Sequence, residues 1–392
     1  MNQFKKSFYR KIKFDTDILS NKTLLSNKIC EQKILIIGGA GTIGSSYLKQ
    51  ILKFKPSKIT VVDINENGLA ELTRDLRSSD LLDYNPEYIT YPVNLLSDTF
   101  DKIFSSDNWG VVANFSAHKH VRSEKDKISV EALIKNNVFG AIKLLNLCSE
   151  RPPKYFFSVS TDKAANPVNI MGASKSLMEK LILSKKGAFR VSTARFANVA
   201  FSNGSLLDGF IFRLQKKQPL SCPSDIKRFF VTPEQSGQIC LLATFLGETG
   251  NIFFPKLDFH KDQIFFKEIA LDFIKDNGFI PELVKSEKEA KEFDFDNNPE
   301  KYPIYFFKTD TSGEKTYEEF YTDEEDYEID KYDSIGFIKT SEVEISFEEV
   351  LQDFESVFRN QNSNKSDIVN IINKYVPDFM HIETGKHLDQ KM

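Results

Sequence analysis

Thr161, Asp162 and Lys163 stand side by side in the stretch SVSTDKAANPVNIMGASK, residues 158–175. A carboxyl group beside an amine is the material of general acid–base chemistry, in which one group gives a proton and the other takes one. Lys175 lies four residues after Met171, so both project from one face of a helix. A second stretch, Gly38-Gly39-Ala40-Gly41-Thr42-Ile43-Gly44, offers backbone chemistry instead. Gly38 permits a tight turn, Gly41 lets the backbone approach a pyrophosphate, and Gly44 allows a helix to pack closely on a strand. Amides at the start of that helix, at Thr42, Ile43 and Gly44, would stabilise the phosphates together with the helix dipole. Asp63 ends the next apolar run, placed to accept hydrogen bonds from adenosine ribose hydroxyls. Its charge would repel a 2′-phosphate, so NAD is favoured over NADP, although Arg74 or Arg77 could soften that preference. Asn94, just past the third apolar run, is placed to hydrogen-bond the adenine.

These residues sit at the joints of a regular pattern. Apolar runs at 33–38, 58–63, 88–91, 111–115, 155–160 and 189–194 read as strands. Stretches at 44–54, 66–77, 131–148 and 171–184 carry apolar residues at helical spacing between them. Continuous apolar strands separated by helices imply an α/β fold: a Rossmann-type doubly wound parallel sheet covered on both faces. Ligands then sit beyond the carboxyl ends of the strands, where both chemical stretches fall. The expected organisation is an N-terminal extension at 1–32, an NAD-binding Rossmann domain at 33–200 and a smaller substrate-binding lobe at 201–392. Pro219, Pro223 and Pro233 punctuate loops in that lobe, and the charged run 285–300 reads as surface. Residues 309–331 are acidic with interleaved Tyr and Phe, which predicts an exposed insertion before the C-terminal tail.

The 392 residues carry 41% hydrophobic and 28% charged side chains, as an ordinary globular chain does. A formal charge of -4 argues against bulk binding to nucleic acid or anionic lipid, so any anionic ligand must meet a local cluster of cations. Cys30, Cys148, Cys222 and Cys240 are widely spaced, which favours reduced thiols. His118 and His120 alternate with Lys119, but no carboxylate or Cys lies at convincing ligand spacing, so no metal site is expected. No run approaches the roughly 18 apolar residues of a membrane span. Residues 1–13 lack the apolar core of a signal peptide, and a cytoplasmic location is expected.

The segment 158–175 and the glycine stretch together resemble the polysaccharide-biosynthesis branch of the extended short-chain dehydrogenases/reductases, whose members are UDP-N-acetylglucosamine 4,6-dehydratases. Ala117-His118-Lys119-His120-Val121 with Glu124 resembles the AAxKHVPxxE motif of that branch. Arg195-Phe196-Ala197-Asn198-Val199 with Ser202-Asn203-Gly204-Ser205 resembles RFGNVxxSxGS, and Arg228-Phe229-Phe230 resembles TRFF. The resemblance runs strongly from Lys33 to Gly250, and the ending HIETGKHLDQKM also looks familial. Arg122 replaces the usual Pro, and Ala197 replaces the usual Gly.

The resemblance implies a three-part reaction on a nucleotide sugar: oxidation at C4, elimination of water across C5–C6, and return of hydride to C6. Asp162 would protonate the departing O6 hydroxyl and Lys163 would take the C5 proton. A lysine base must be partly neutral, so the Lys163 pKa would have to fall through burial or a neighbouring positive charge, which Lys175 could supply. Lys175 would hold the nicotinamide ribose. The superfamily usually has Tyr at the Met171 position, to deprotonate the O4 hydroxyl, and Met cannot move a proton. The O4 proton would then pass through Thr161, Asp162 or a water held by Lys175. Lys119, Glu124, Asn198, Ser205 and Arg228 would line the substrate side, with Arg228 taking the diphosphate. A 4-epimerase, a C5-inverting dehydratase and a weakly catalytic nucleotide-sugar or NAD-binding protein are the rivals. A homodimer or higher homo-oligomer is implied, with the helices at 131–148 and 171–184 as candidates for a twofold interface.

Overall fold

A computed structural model of the chain describes residues 14–385, Lys186, Thr316 and Glu342 excepted. The six apolar runs become β1 (Lys33–Ile37), β2 (Lys58–Asp63), β3 (Glu87–Pro92), β4 (Val111–Asn114), β5 (Tyr155–Val159) and β6 (Arg190–Ala194). Around them run α1 (Phe14–Ser20), α2 (Lys22–Ile29), α3 (Thr42–Leu52), α4 (Glu66–Arg77), α5 (Asp98–Ser105), α6 (Lys127–Ile134), α7 (Gly140–Glu150) and α8 (Ile170–Leu183). Beyond β6 come β7 (Asn198–Val199), α9 (Leu206–Gln215), β8 (Leu220–Pro223), β9 (Lys227–Val231), α10 (Pro233–Phe245) and β10 (Asn251–Pro255). β11 (Gln263–Phe265), α11 (Phe266–Asp276), β12 (Ile280–Val284), α12 (Glu287–Lys291) and β13 (Lys301–Phe307) follow. The last described elements are β14 (Tyr327–Glu328), β15 (Ile335–Ile338), α13 (Phe347–Arg359) and α14 (Lys365–Tyr375).

The main sheet has the order β3-β2-β1-β4-β5-β6-β10-β15-β14, parallel from β3 through β10. β15 and β14 add an antiparallel edge. Alternate residues of β1 divide two cores: Ile34 and Ile36 face α3, α4 and α10, while Leu35 and Ile37 face α5 to α8. The doubly wound expectation therefore holds. In register, Ile37 pairs with Val62 and Asn114, and Asn114 pairs with Ser158. The turns after β1, β4 and β5 thus open along one edge of the sheet. A separate lobe packs α9 and α11 on the parallel sheet β12-β13-β8, around Leu207, Phe210, Phe273 and Ile304.

Several expectations are corrected here. The cut at residue 200 is not single, because α10, β10, β15 and β14 belong to the main body, and two stretches, one before α10 and one after β10, carry the second lobe. Of the 1–32 extension, residues 1–13 lie outside the described residues, but Phe14, Leu25 and Ile29 are core residues. Asp17 also accepts from the amides of Asp333 and Ser334, which ties α1 to the far edge of the sheet. The expected helix 131–148 is interrupted by a π-helical turn, Lys135–Phe139, between α6 and α7. The extra residue of that turn brings Asn137 inward, where it bonds the backbone of His118 and the hydroxyl of Ser174. One side of the helices expected at a twofold interface packs against the C-terminal helices of the chain. Val350 and Phe354 of α13, with Ile368 and Ile372 of α14, join the apolar cluster of α6 to α8.

Candidate active site

The turn from β1 into α3 is built by close approach. Gly38 has φ +75°, and a Cβ there would lie 2.5 Å from the Ser116 amide nitrogen. A Cβ on Gly44 would lie 2.4 Å from the Gly38 carbonyl oxygen. Gly41 is the N-cap of α3 and supplies no side chain, so the amides of Thr42, Ile43 and Gly44 open the helix uncapped. Asp63, at the end of β2, accepts from the Ala40 amide at 2.9 Å, which places its carboxylate against this loop. These residues fit a dinucleotide: a cradle that admits no Cβ, a free helix start and a carboxylate beside it. Asn94 instead closes its own turn, accepting from the Leu96 amide at 2.8 Å.

At the end of β5, Thr161 caps a short turn over Asp162–Ala164. Its hydroxyl donates to Asp162 Oδ1 at 2.9 Å, and Lys163 Nζ donates to the same oxygen at 3.1 Å. Asp162 is only 2% exposed, and its other oxygen is buried with no hydrogen-bond partner among the described residues. α8 comes close to this turn because residue 172 is glycine: a Cβ there would lie 2.3 Å from the Lys163 carbonyl oxygen. The pair and Lys175 are thereby held on neighbouring elements.

The proton states differ from expectation. Burial acts to lower the Lys163 pKa, but the Asp162 and Glu318 carboxylates outweigh it and hold the ammonium above its usual range. Lys163 is therefore charged at rest. The expected lowering falls on Lys175, which burial brings down to about 8 against the pull of Glu179. Its Nζ contacts the Met178 sulfur at 3.2 Å. Met171 is 3% exposed and packs in the apolar cluster under α8.

A cavity of about 800 Å³ lies between the strand ends and the second lobe. Lys119, Lys163, Asn198, Ser205 and Arg228 line it, so five of the expected residues converge. Lys119 Nζ donates to the Asn203 carbonyl at 2.8 Å, and the Asn203 amide donates to the Thr42 hydroxyl at 3.0 Å. The 201–205 loop thus joins the cavity to the glycine turn. Glu124 is not a substrate group here. Its two oxygens accept the amides of Ile170 and Met171 at 2.9 and 2.7 Å, capping α8, and burial pushes its pKa up to about 7.

The acidic segment is the largest surprise. It is not a simple exposed insertion, since Thr311, Glu318 and Phe320 are buried. Glu318 lies 3.5 Å from Lys163 Nζ and 3.6 Å from Arg228 Nη2, while Glu314 pairs with Arg228 at 2.9 Å. The segment is fixed downstream by Arg195, a buried fork that grips Glu179 on one side and Glu325 on the other. Nothing in an acidic run marks which carboxylate turns inward, so Glu314 and Glu318 were beyond the sequence pattern. Asn137 was hidden by the π-helical turn. Among the described residues no group of three His, Cys, Asp or Glu could hold a metal, and no helix is long and apolar enough to cross a membrane.

The family described as polysaccharide biosynthesis protein matches residues 34–340. The chain belongs to that family. This is the polysaccharide-biosynthesis branch of the extended short-chain dehydrogenases/reductases that the motifs indicated. Among relatives, an uncharacterized membrane protein of Methanocaldococcus jannaschii is 30% identical over 79% of this chain and 86% of its own length. The capsular polysaccharide biosynthesis protein CapD of Staphylococcus aureus is 27% identical over 84% of this chain, which spans only 53% of that longer protein. An inverting UDP-N-acetylglucosamine 4,6-dehydratase of Campylobacter jejuni is 28% identical over 58% of this chain and 67% of its own. Of solved structures, Pen from Bacillus thuringiensis superposes with a TM-score of 0.65 at 23% identity, over 83% of this chain and 98% of Pen.

Proposed function

We propose that this chain is an NAD-dependent nucleotide-sugar 4,6-dehydratase, a hydro-lyase. Its substrate is UDP-N-acetylglucosamine, and its product is a UDP-4-keto-6-deoxy-hexosamine for surface glycans such as lipopolysaccharide. The observation that carries this reading is the 3.1 Å contact between Asp162 and Lys163, at the rim of a cavity that Arg228 also lines. The relatives that make or modify polysaccharide precursors support it.

NAD, when bound at the glycine turn, supplies acceptance of hydride from sugar C4 and its return to C6. Asp63 would hold its adenosine ribose, the start of α3 its pyrophosphate, and Lys175 its nicotinamide ribose. Asp162 and Lys163 supply the elimination. At rest they form an ion pair in which neither group is in its working form. Moving one proton from Nζ to Oδ1 creates a carboxylic acid and a free amine together, with no exchange with solvent. The acid protonates the departing O6 hydroxyl, and the amine takes the C5 proton that the C4 ketone has made acidic. The O4 proton leaves through Thr161, whose hydroxyl already donates to Asp162, or through a water on Lys175. Arg228, Lys119, Asn198 and Ser205 bind the nucleotide diphosphate and sugar.

Incubation with UDP-, GDP- and dTDP-hexoses in deuterated water, followed by mass spectrometry, tests the reading. We expect loss of water from UDP-N-acetylglucosamine and one deuterium at C5. A 4-epimerase keeps its C6 hydroxyl and its C5 hydrogen, and that result would replace the proposal. The configuration at C5 of the same product separates a retaining from an inverting enzyme.

A further inference from the structure

Arg228 is 4% exposed, and its fork is already engaged. Nη1 donates to the Lys227 carbonyl at 2.9 Å, while Nη2 meets Glu314 at 2.9 Å and lies 3.6 Å from Glu318. Glu314 lines the cavity beside Arg228 and Lys163. Three carboxylates, of Asp162, Glu314 and Glu318, therefore crowd Lys163 and Arg228 at the place where the proposed function puts a diphosphate, with Lys315 acting on Glu318 from outside. The arrangement is under-satisfied, because Asp162 Oδ2 and Glu318 Oε2 are buried with no hydrogen-bond partner among the described residues.

The chain around Glu314 is held at both sides. Asn169 Nδ2 donates to the Gly313 carbonyl at 2.8 Å, the Gly313 amide donates to the Ile382 carbonyl at 3.0 Å, and Glu325 is held by Arg195. Gly313 has φ +71°, a conformation open to glycine, directly before Glu314. The Glu314 carboxylate thus reaches Arg228 from beside a residue, Gly313, that Asn169 and Ile382 hold.

We propose that Glu314 is the resident anion of the diphosphate site and sets its affinity. Its carboxylate occupies Arg228 until the phosphates of a nucleoside diphosphate displace it, after which Arg228 pairs with phosphate and Glu314 faces the open cavity. Every anion that binds at Arg228 meets this competition, so the apparent affinity is the intrinsic one reduced by the fraction of molecules in which Arg228 is uncovered. Uridine alone carries no phosphate and meets no such competition.

The inference rests on the nucleotide-sugar reading, and the test separates the two. Calorimetric titration of the full chain, Glu314→Gln and Glu314→Ala with UDP and with uridine is the measurement. Both variants should bind UDP about tenfold more tightly than the parent chain, with uridine unchanged. The opposite role, in which Glu314 orients Arg228 for phosphate, predicts weaker UDP binding, most of all in the Ala variant. Equal or weaker UDP binding overturns the proposal, and so does tighter binding of uridine by the same factor. Both results leave the nucleotide-sugar reading standing as long as the parent chain binds UDP. Failure of all three proteins to bind UDP overturns both.

Discussion

At the scale of single residues, the site turns on the charge of Lys163. Its neighbours are the Asp162 and Glu318 carboxylates, which hold it protonated despite burial, and Arg228, which opposes them. Because the working acid and amine share the one proton of the resting pair, the rate falls at high pH as Lys163 loses that proton to solvent. Removing the Glu318 charge takes away one of the two groups that favour the ammonium, so Glu318→Gln should move that fall to lower pH. A pH–rate profile of dehydration in the parent and variant checks this. An unmoved midpoint would mean that Lys163 is not the group whose ionisation limits the rate. The adjacency of Asp162 and Lys163 was legible because both lie in one short stretch. The third member of the cluster was not, since Glu318 reaches them only through the folded path of a distant segment.

At the scale of elements, the glycines set how closely helices approach the reacting turns. Gly172 is the sharpest case, because α8 touches the Lys163 carbonyl there. Adding a methyl group must push α8 away from the turn that carries Asp162 and Lys163. Gly172→Ala should lower stability by about 1–3 kcal/mol, the usual cost of overpacking. It should also lower turnover by roughly a hundredfold, since a displacement near 1 Å misplaces the reacting groups. Thermal melting together with steady-state kinetics reads both effects, and a variant with parental values for each would show that α8 is free to shift. The elements themselves were largely legible. β1, β2, β4 and β5 are largely apolar runs, and burial on both faces leaves that pattern plain. The π-helical turn left no mark, because 131–148 keeps its apolar residues at near-helical spacing. β14 is two residues long and makes sense only beside β15, so no local pattern announces it.

At the scale of the whole molecule, the chain leaves the main body twice to build the second lobe and then comes back to close the main sheet. The return supplies β15 at the edge and α13 and α14 over α6 to α8. This cover is amphipathic, with Val350, Phe354, Ile368 and Ile372 fully buried. Burying such side chains stabilises by roughly 1.5–3 kcal/mol each. Four of them approach the whole net stability of a typical domain, about 5–15 kcal/mol. Removing the chain from Ser346 onward should therefore do more than trim a tail: it bares the apolar face of the helix that holds Lys175. The truncated protein should lose its cooperative melting transition and aggregate, as circular dichroism and size-exclusion chromatography would show. A truncated chain that stays monomeric and melts like the parent would mean that α13 and α14 are accessory to the fold. A well-folded truncated dimer would instead show that the face under α13 and α14 can be completed by a second copy.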